Sequence, residues 1–279
     1  MQNTAIITFK KTVTEEDPKV LIDYLEKESK LSKSILKKVL NNGGVWLKKF
    51  KSAKMVRVRR ATTEIFKDSA VEFYYDPQFL NVIPAEAKLL LDQKEWGIWF
   101  KPAGLLSEGT DFADHCTILR QVEKLKGNGN AYPVHRLDRE AYGLMLIAYT
   151  QKAARIYSIK WQKGQVKKFY KVEVLGNIKE KYPEGGEINL VLEGKEAKTS
   201  FTIIDSNINS SKLLVQIHTG RLHQIRKHFE MIGFPVLGDP RYGRGNKNLE
   251  GLRLMSYRLE FRDPLSDKQI NFALDDISF

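Results

Sequence analysis

Cysteine is almost missing from this chain. Cys116 is the single one among 279 residues, so no internal disulfide can form, as suits a reducing compartment. Long apolar runs are missing too. The longest, Leu144 to Tyr149, has the length of a buried strand and falls far short of the about 18 residues of a membrane span. The N-terminal MQNTAIITFKKT has no charged head, long apolar middle or small-residue cleavage site, so no secretory signal is expected. The expectation is a cytoplasmic protein with no membrane partner. No Gly-x-x-x-x-Gly-Lys phosphate loop occurs, and no His-Glu-x-x-His pair. His218, His223 and His228 recur at five-residue steps, which scatter them around a helix, so no metal site is expected. Internal repeats and low-complexity segments are absent.

Acidic residues are missing from one particular stretch. Residues 33–60 hold ten Lys or Arg and no Asp or Glu, and the whole chain carries a net charge of +12. Such a field attracts polyanions. The stretch is not a disordered tail, because apolar residues recur through it at structured spacings. Val20, Leu21, Tyr24 and Leu25 have helical spacing, and Ile35, Leu36, Val39 and Leu40 repeat it. Ser32 can cap the second helix, and Gly43 and Gly44 can end it. Val45 and Leu47 alternate as a strand does, as do Met55, Val56 and Val58 more loosely. The expected product is two short helices and a small sheet with one cationic side. Asp76, Pro77, Gln78 and Pro84 then punctuate the chain, placing a boundary near residues 77–85.

Beyond the boundary the runs are short and β-rich, at 97–100, 144–149, 169–175, 197–204, 213–219 and 252–261, with helices near 151–163 and 221–232. The predicted fold class is α+β: a mainly antiparallel mixed-sheet domain with flanking helices over 83–279, behind a small, basic N-terminal α/β module over 18–76.

Three segments concentrate chemistry. In YPVHRLDREAYGLMLIAY (132–149), Asp138 lies between Arg136 and Arg139, and cations beside a carboxylate suit the ionised form that a nucleophile or base needs. In KKFYKVEVLG (167–176), alternation puts Tyr170, Val172 and Val174 on one, inward face. In HTGRLHQIRKHFEMIGFPVLGDPRYG (218–243), Leu222, Ile225, Phe229 and Ile232 make an apolar helix stripe that Arg226 borders. An arginine against a core needs an anionic partner, and Asp138 is the predicted one.

These segments resemble the RluA-type pseudouridine synthases over roughly residues 93–262. KPAGLLSEG at 101–109, HRLDRE at 135–140, FYKVEV, GRLHQIRKH and GDPRYG at 238–243 carry the resemblance. LIDYLEKESKLSKSILKKVLNNGGVWL likewise resembles the S-four-like RNA-binding module. The resemblance implies isomerisation of uridine to pseudouridine in structured RNA, with Asp138, Tyr170 and Arg226 catalytic and no cofactor. Asp138 would assist glycosidic cleavage, Arg226 orient and charge-balance it, and Tyr170 stack on the base. RNA contacts would come from His135, Arg136, Arg139 and Arg221, and in the front module from Lys33, Lys37, Lys38, Lys48 and Lys49. Arg136 would also fill the space that the extruded base leaves. Ribosomal RNA is the expected substrate, transfer RNA the alternative, and a monomer suffices.

Two departures stand out. Ala141 and Tyr142 replace the family's usual Thr-Ser, and Met255 and Ser256 replace its usual His-Ala. They keep open a catalytically weakened RNA-binding protein of the same fold. A glycosidase would want paired carboxylates, and a nuclease would release fragments.

Overall fold

A computed structural model describes residues 5–274, apart from 53, 128, 244 and 247. The chain divides into two compact units. Met1–Pro84 with Glu108–Gln121 form one, and Ala85–Ser107 with Val122–Phe279 form the other.

The first unit contains β1 (Ile7–Thr12), α1 (Leu21–Ser29), α2 (Lys33–Asn42), β2 (Val45–Lys48), β3 (Val56–Arg57), β4 (Ala70–Tyr75) and a single turn, α3 (Pro77–Leu80). Its sheet has the order β1-β4-β2-β3 and is antiparallel throughout. The sheet therefore begins at Ile7, before the first helix, in a stretch whose polar KKT tail hides it from a pattern reading. Helix α2 starts where Ser32 accepts the Ile35 N–H and stops where Gly43 turns left-handed at φ +82°. Leu21, Tyr24 and Leu25 of α1 and Leu36, Val39 and Leu40 of α2 pack on Val45, Leu47, Val71 and Phe73 of the sheet.

Lys37, Lys38, Lys48 and Lys49 all face solvent. Lys33 differs: its ammonium lies 2.6 Å from Asp23 and 3.5 Å from Glu26, so helix α1 absorbs part of its charge. Arg57 and Arg59 are also engaged, both paired with Asp114, and Arg57 covers the Trp46 ring at 4.3 Å. The cationic face thus rests on fewer free charges than the ten counted in sequence.

The second unit contains β5 (Lys88–Asp92), β6 (Trp96–Lys101), the end of α4 (Ile118–Leu125), β7 (Tyr132–Pro133), β8 (Tyr142–Ala148), α5 (Gln151–Gln162), β9 (Lys167–Leu175), β10 (Gly186–Asn189), β11 (Lys198–Ser206), β12 (Ser210–Ile217), α6 (Gln224–Met231), β13 (Leu254–Arg262) and β14 (Gln269–Ala273). Its sheet runs β10-β11-β12-β9-β13-β8-β6-β5, with β14 beside β13 and β7 beside β8. Among the described residues only β13 and β8 pair in parallel. This is the expected α+β fold with a largely antiparallel sheet. Strand β8 sits deep, and its Leu144, Leu146 and Ala148 pack with Trp96, Ile98, Tyr157, Met255 and Phe261.

Two backbone details shape the surroundings of Asp138 and Arg226. Gly143 has φ +110°, and a Cβ there would sit 2.3 Å from the Ser256 carbonyl oxygen, so only glycine lets β8 approach β13. Helix α6 starts at Gln224, three residues later than the sequence pattern suggests, because His223 adopts a left-handed φ of +53°. That turn takes Leu222 off the predicted apolar stripe and leaves it 51% exposed, while Ile225 and Phe229 stay buried.

Candidate active site

Arg226 is the organising residue. Helix α6 buries its side chain completely. An isolated guanidinium there would be costly, and three carboxylates answer it. Asp239 accepts a bidentate pair, from Nε at 2.6 Å and Nη2 at 2.8 Å. Asp138 accepts from Nη1 at 3.0 Å, the contact expected from sequence. Glu140 lies 3.5 Å from the same nitrogen. Burial by itself would lower the Arg226 pKa, but the hydrogen bonds it donates to Asp239 and Asp138 more than reverse this and raise it. The Tyr242 ring lies under the guanidinium at 5.2 Å.

Asp239 is a site residue that the sequence pattern does not single out. It has no exposure and also accepts the backbone N–H groups of Arg241 and Tyr242, at 2.8 and 3.1 Å. The fork therefore belongs to Asp239, and Asp138 takes the one remaining corner of the guanidinium. His223 stands 3.7 Å from the other Asp138 oxygen, and its Nδ1 is 3.0 Å from the Tyr242 hydroxyl. Burial, working against the pull of Asp138, lowers the His223 pKa below its ordinary value, so the ring is neutral at pH 7.

The loop bearing Asp138 is held at several points by the 101–109 segment. Ser107 Oγ accepts the Leu137 N–H at 3.0 Å and donates to the Leu137 carbonyl at 2.6 Å. The Gly104 N–H donates to the Arg139 carbonyl at 2.7 Å. Lys101, fully buried, donates to the Leu105 and Pro102 carbonyls at 2.8 and 3.1 Å and reaches that of Arg139 at 3.4 Å. His135 stacks on Trp161 at 4.7 Å and accepts the Leu146 N–H at 3.0 Å, so its ring fixes the loop's entry. Burial and then Lys168 push the His135 pKa down to about 3.

Burial also pushes the Lys101 ammonium down to about 7, against the opposing pull of Asp138 and Glu140. The unfolded chain keeps this proton up to the ordinary lysine value of 10.5. Between those limits the unfolded state binds more protons, so stability rises with pH, by at most about 1.4 kcal/mol per pH unit. Urea denaturation at pH 7 and pH 9 should therefore show wild type gaining stability relative to Lys101→Met. Equal responses would mean that Lys101 does not titrate in this range.

Asp138, Arg226, Tyr170, Arg136 and Arg221 line one cavity of about 380 Å³. Tyr170, 6% exposed, reaches it from β9 as alternation predicts. Burial, and after it the Asp138 carboxylate, hold the Tyr170 hydroxyl well above its usual value, so it stays protonated. Arg136 and Arg139 are exposed beside Asp138, and Arg221, also exposed, donates from Nε to the Glu196 carbonyl at 3.0 Å.

A family model for RNA pseudouridylate synthases matches residues 96–231. An uncharacterized RNA pseudouridine synthase of Aquifex aeolicus is 28% identical across 88% of this chain and 86% of its own length. The chain is thus similar in sequence to the RNA pseudouridine synthases. Ribosomal large subunit pseudouridine synthase D of Nitrosomonas europaea is 32% identical over 56% of the chain and 50% of its own length. The fold agrees: human RNA Pseudouridylate Synthase Domain Containing 1 superposes with a TM-score of 0.58 at 19% identity, covering 70% of this chain and 86% of that one. Uridine isomerisation in RNA is the reaction of this family.

The two departures from the family's usual residues are neighbours in space. In the parallel pairing of β13 with β8, Met255 opposes Tyr142 and Ser256 opposes Gly143. Ala141, just before, is buried in the cavity wall. Met255 is wholly buried, and Tyr142 packs toward Phe100 at 6.4 Å. The altered residues therefore share one seam of the sheet.

Proposed function

We propose that this enzyme converts a specific uridine of ribosomal RNA to pseudouridine, with Asp138 as the catalytic carboxylate and Arg226 and Tyr170 as its partners. The observation that carries the reading is the Asp138 carboxylate held 3.0 Å from a fully buried arginine in a cavity that Tyr170 also lines. The bond from ribose C1′ to uracil N1 breaks, the base turns, and a bond from C1′ to C5 forms. The C5 proton leaves and N1 gains one. Atoms and electrons balance without a cofactor. Asp138 works at the ribose, Arg226 orients it, and Tyr170 stacks on the base, its hydroxyl protonated and able to donate. A paired uridine must first leave its stack, at a cost of a few kcal/mol that backbone contacts offset.

Those contacts are assigned to an S-four-like module over 18–76, acting through Lys37, Lys38, Lys48 and Lys49, to Arg136 and Arg221 at the cavity, and to the exposed Arg139, which follows Asp138 in the chain but does not line that cavity. Lys33 contributes less, given its pairing with Asp23. His135 serves by packing, as its stack on Trp161 suggests. One copy of the chain, in the cytoplasm, supplies every group that the reaction needs. Ribosomal RNA is favoured by the name of the Nitrosomonas relative and by the basic front module. The test is to incubate the protein with unmodified ribosomal and transfer RNA, digest to nucleosides and separate pseudouridine from uridine. Product on ribosomal RNA alone is expected. Product on transfer RNA alone would move the substrate assignment, and none on either would remove the activity.

RNA affinity should fall steeply with salt. Replacing Lys37, Lys38, Lys48 and Lys49 by Ala should reduce the slope of log K against log salt by up to about 3.6, at about 0.7–0.9 per lost phosphate contact. Filter binding over a series of salt concentrations reads this, and an unchanged slope would take the front module out of RNA binding.

A further inference from the structure

A second cavity, of about 480 Å³, shares Tyr170, Arg136 and Arg221 with the first and extends to Lys168 and Trp161. Among the described residues no acidic one lines it. Lys168 precedes Tyr170 by two residues on β9, so alternation puts both side chains on the same face, with Cα atoms about 6.6 Å apart. It is only 6% exposed. Among the described residues no carboxylate or hydrogen-bond acceptor pairs with its ammonium. A lysine this buried is ordinarily paired. The Trp161 indole N–H, also buried, lacks an acceptor. An unanswered cation, a spare donor and two rim arginines thus surround a space with no counter-charge.

We propose that this second cavity is an anion subsite, in which Lys168 binds the phosphodiester beside the target uridine while the uracil occupies the Asp138 cavity. The inference rests on the pseudouridine synthase reading for its ligand. Tyr170 forms a wall common to both spaces, as a base and its neighbouring phosphate would require. Burial lowers the Lys168 pKa from the usual lysine value, and an arriving phosphate offsets that desolvation. His135, neutral behind it, adds no competing charge.

The test is calorimetric titration with uridine 3′,5′-bisphosphate and with uridine, on wild type, Lys168→Met, Lys168→Arg and the exposed control Lys167→Met. Wild type and Lys167→Met should bind the bisphosphate at least tenfold more tightly than uridine. Lys168→Met should lose most of that preference while binding uridine as before, and Lys168→Arg should restore it in part. A preference unchanged in Lys168→Met would overturn the proposal, as would an equal loss for both ligands, which marks a packing role. Should the methionine variant not fold, the Lys168 13Cε resonance of wild type is followed during addition of inorganic phosphate. A saturable shift supports the subsite and a static resonance overturns it. None of these readouts needs turnover, so the subsite and the assigned reaction can fail separately.

Discussion

Asp138→Asn should abolish pseudouridine formation, by at least about 10³-fold in kcat, while leaving the fold and RNA affinity close to wild type. Asparagine keeps the shape and can still accept the Arg226 Nη1 hydrogen bond that Asp138 accepts at 3.0 Å. Arg226 does not lose charge balance, because Asp239 holds it bidentately and Glu140 lies 3.5 Å away. The substitution thus removes a carboxylate from the cavity without stranding a buried cation. Nucleoside chromatography after a single-turnover reaction reads the rate, and urea denaturation reads the fold. Near-normal turnover by a folded Asp138→Asn protein would transfer the catalytic role elsewhere, with Glu140 the nearest alternative.

Asp239→Ala should cost about 3–5 kcal/mol of stability, the range for breaking a buried ion pair from one side. The side chain has no exposure, holds two corners of a fully buried guanidinium and accepts two backbone N–H groups of the following turn. Without it Arg226 keeps Asp138 and Glu140 but loses the fork that sets its direction. Asp239→Asn retains the shape and should fold. Its kcat should drop about 10²-fold, as displacements near 1 Å in such sites do, while KM changes little. Urea midpoints and steady-state kinetics check both. A loss below about 1 kcal/mol in Asp239→Ala would show that Asp138 and Glu140 alone neutralise the arginine.

Much of the site is legible in the sequence because its signals are local. Alternation along 167–176 places Tyr170 inward, and the density of Arg, His and Asp in HRLDRE marks the loop. The same alternation puts Lys168 beside Tyr170, but a lysine reads as exposed by default, which masks its burial. The predicted stripe on α6 fails at Leu222, since periodicity cannot register a left-handed turn at His223. Strands β1, β5, β10 and β14 escape a pattern reading because short or half-polar runs carry little pattern.

The sequence by itself determined the class of protein. Its charge, its one cysteine and its motif segments are properties of side chains in order along the chain. Alternation and capping are set by neighbours within a few residues, so strand faces and the ends of α2 can be read directly. Tertiary structure decided who pairs with whom. Asp239 holds Arg226 from 13 residues away, and Asp138 meets it from 88. The 101–109 segment braces the loop bearing Asp138 only because β6 and β8 lie side by side. The two departures meet only because β13 runs parallel to β8, with Met255 opposite Tyr142. Sheet register fixes such contacts, and register depends on the packing of the whole domain, to which no local run of residues refers.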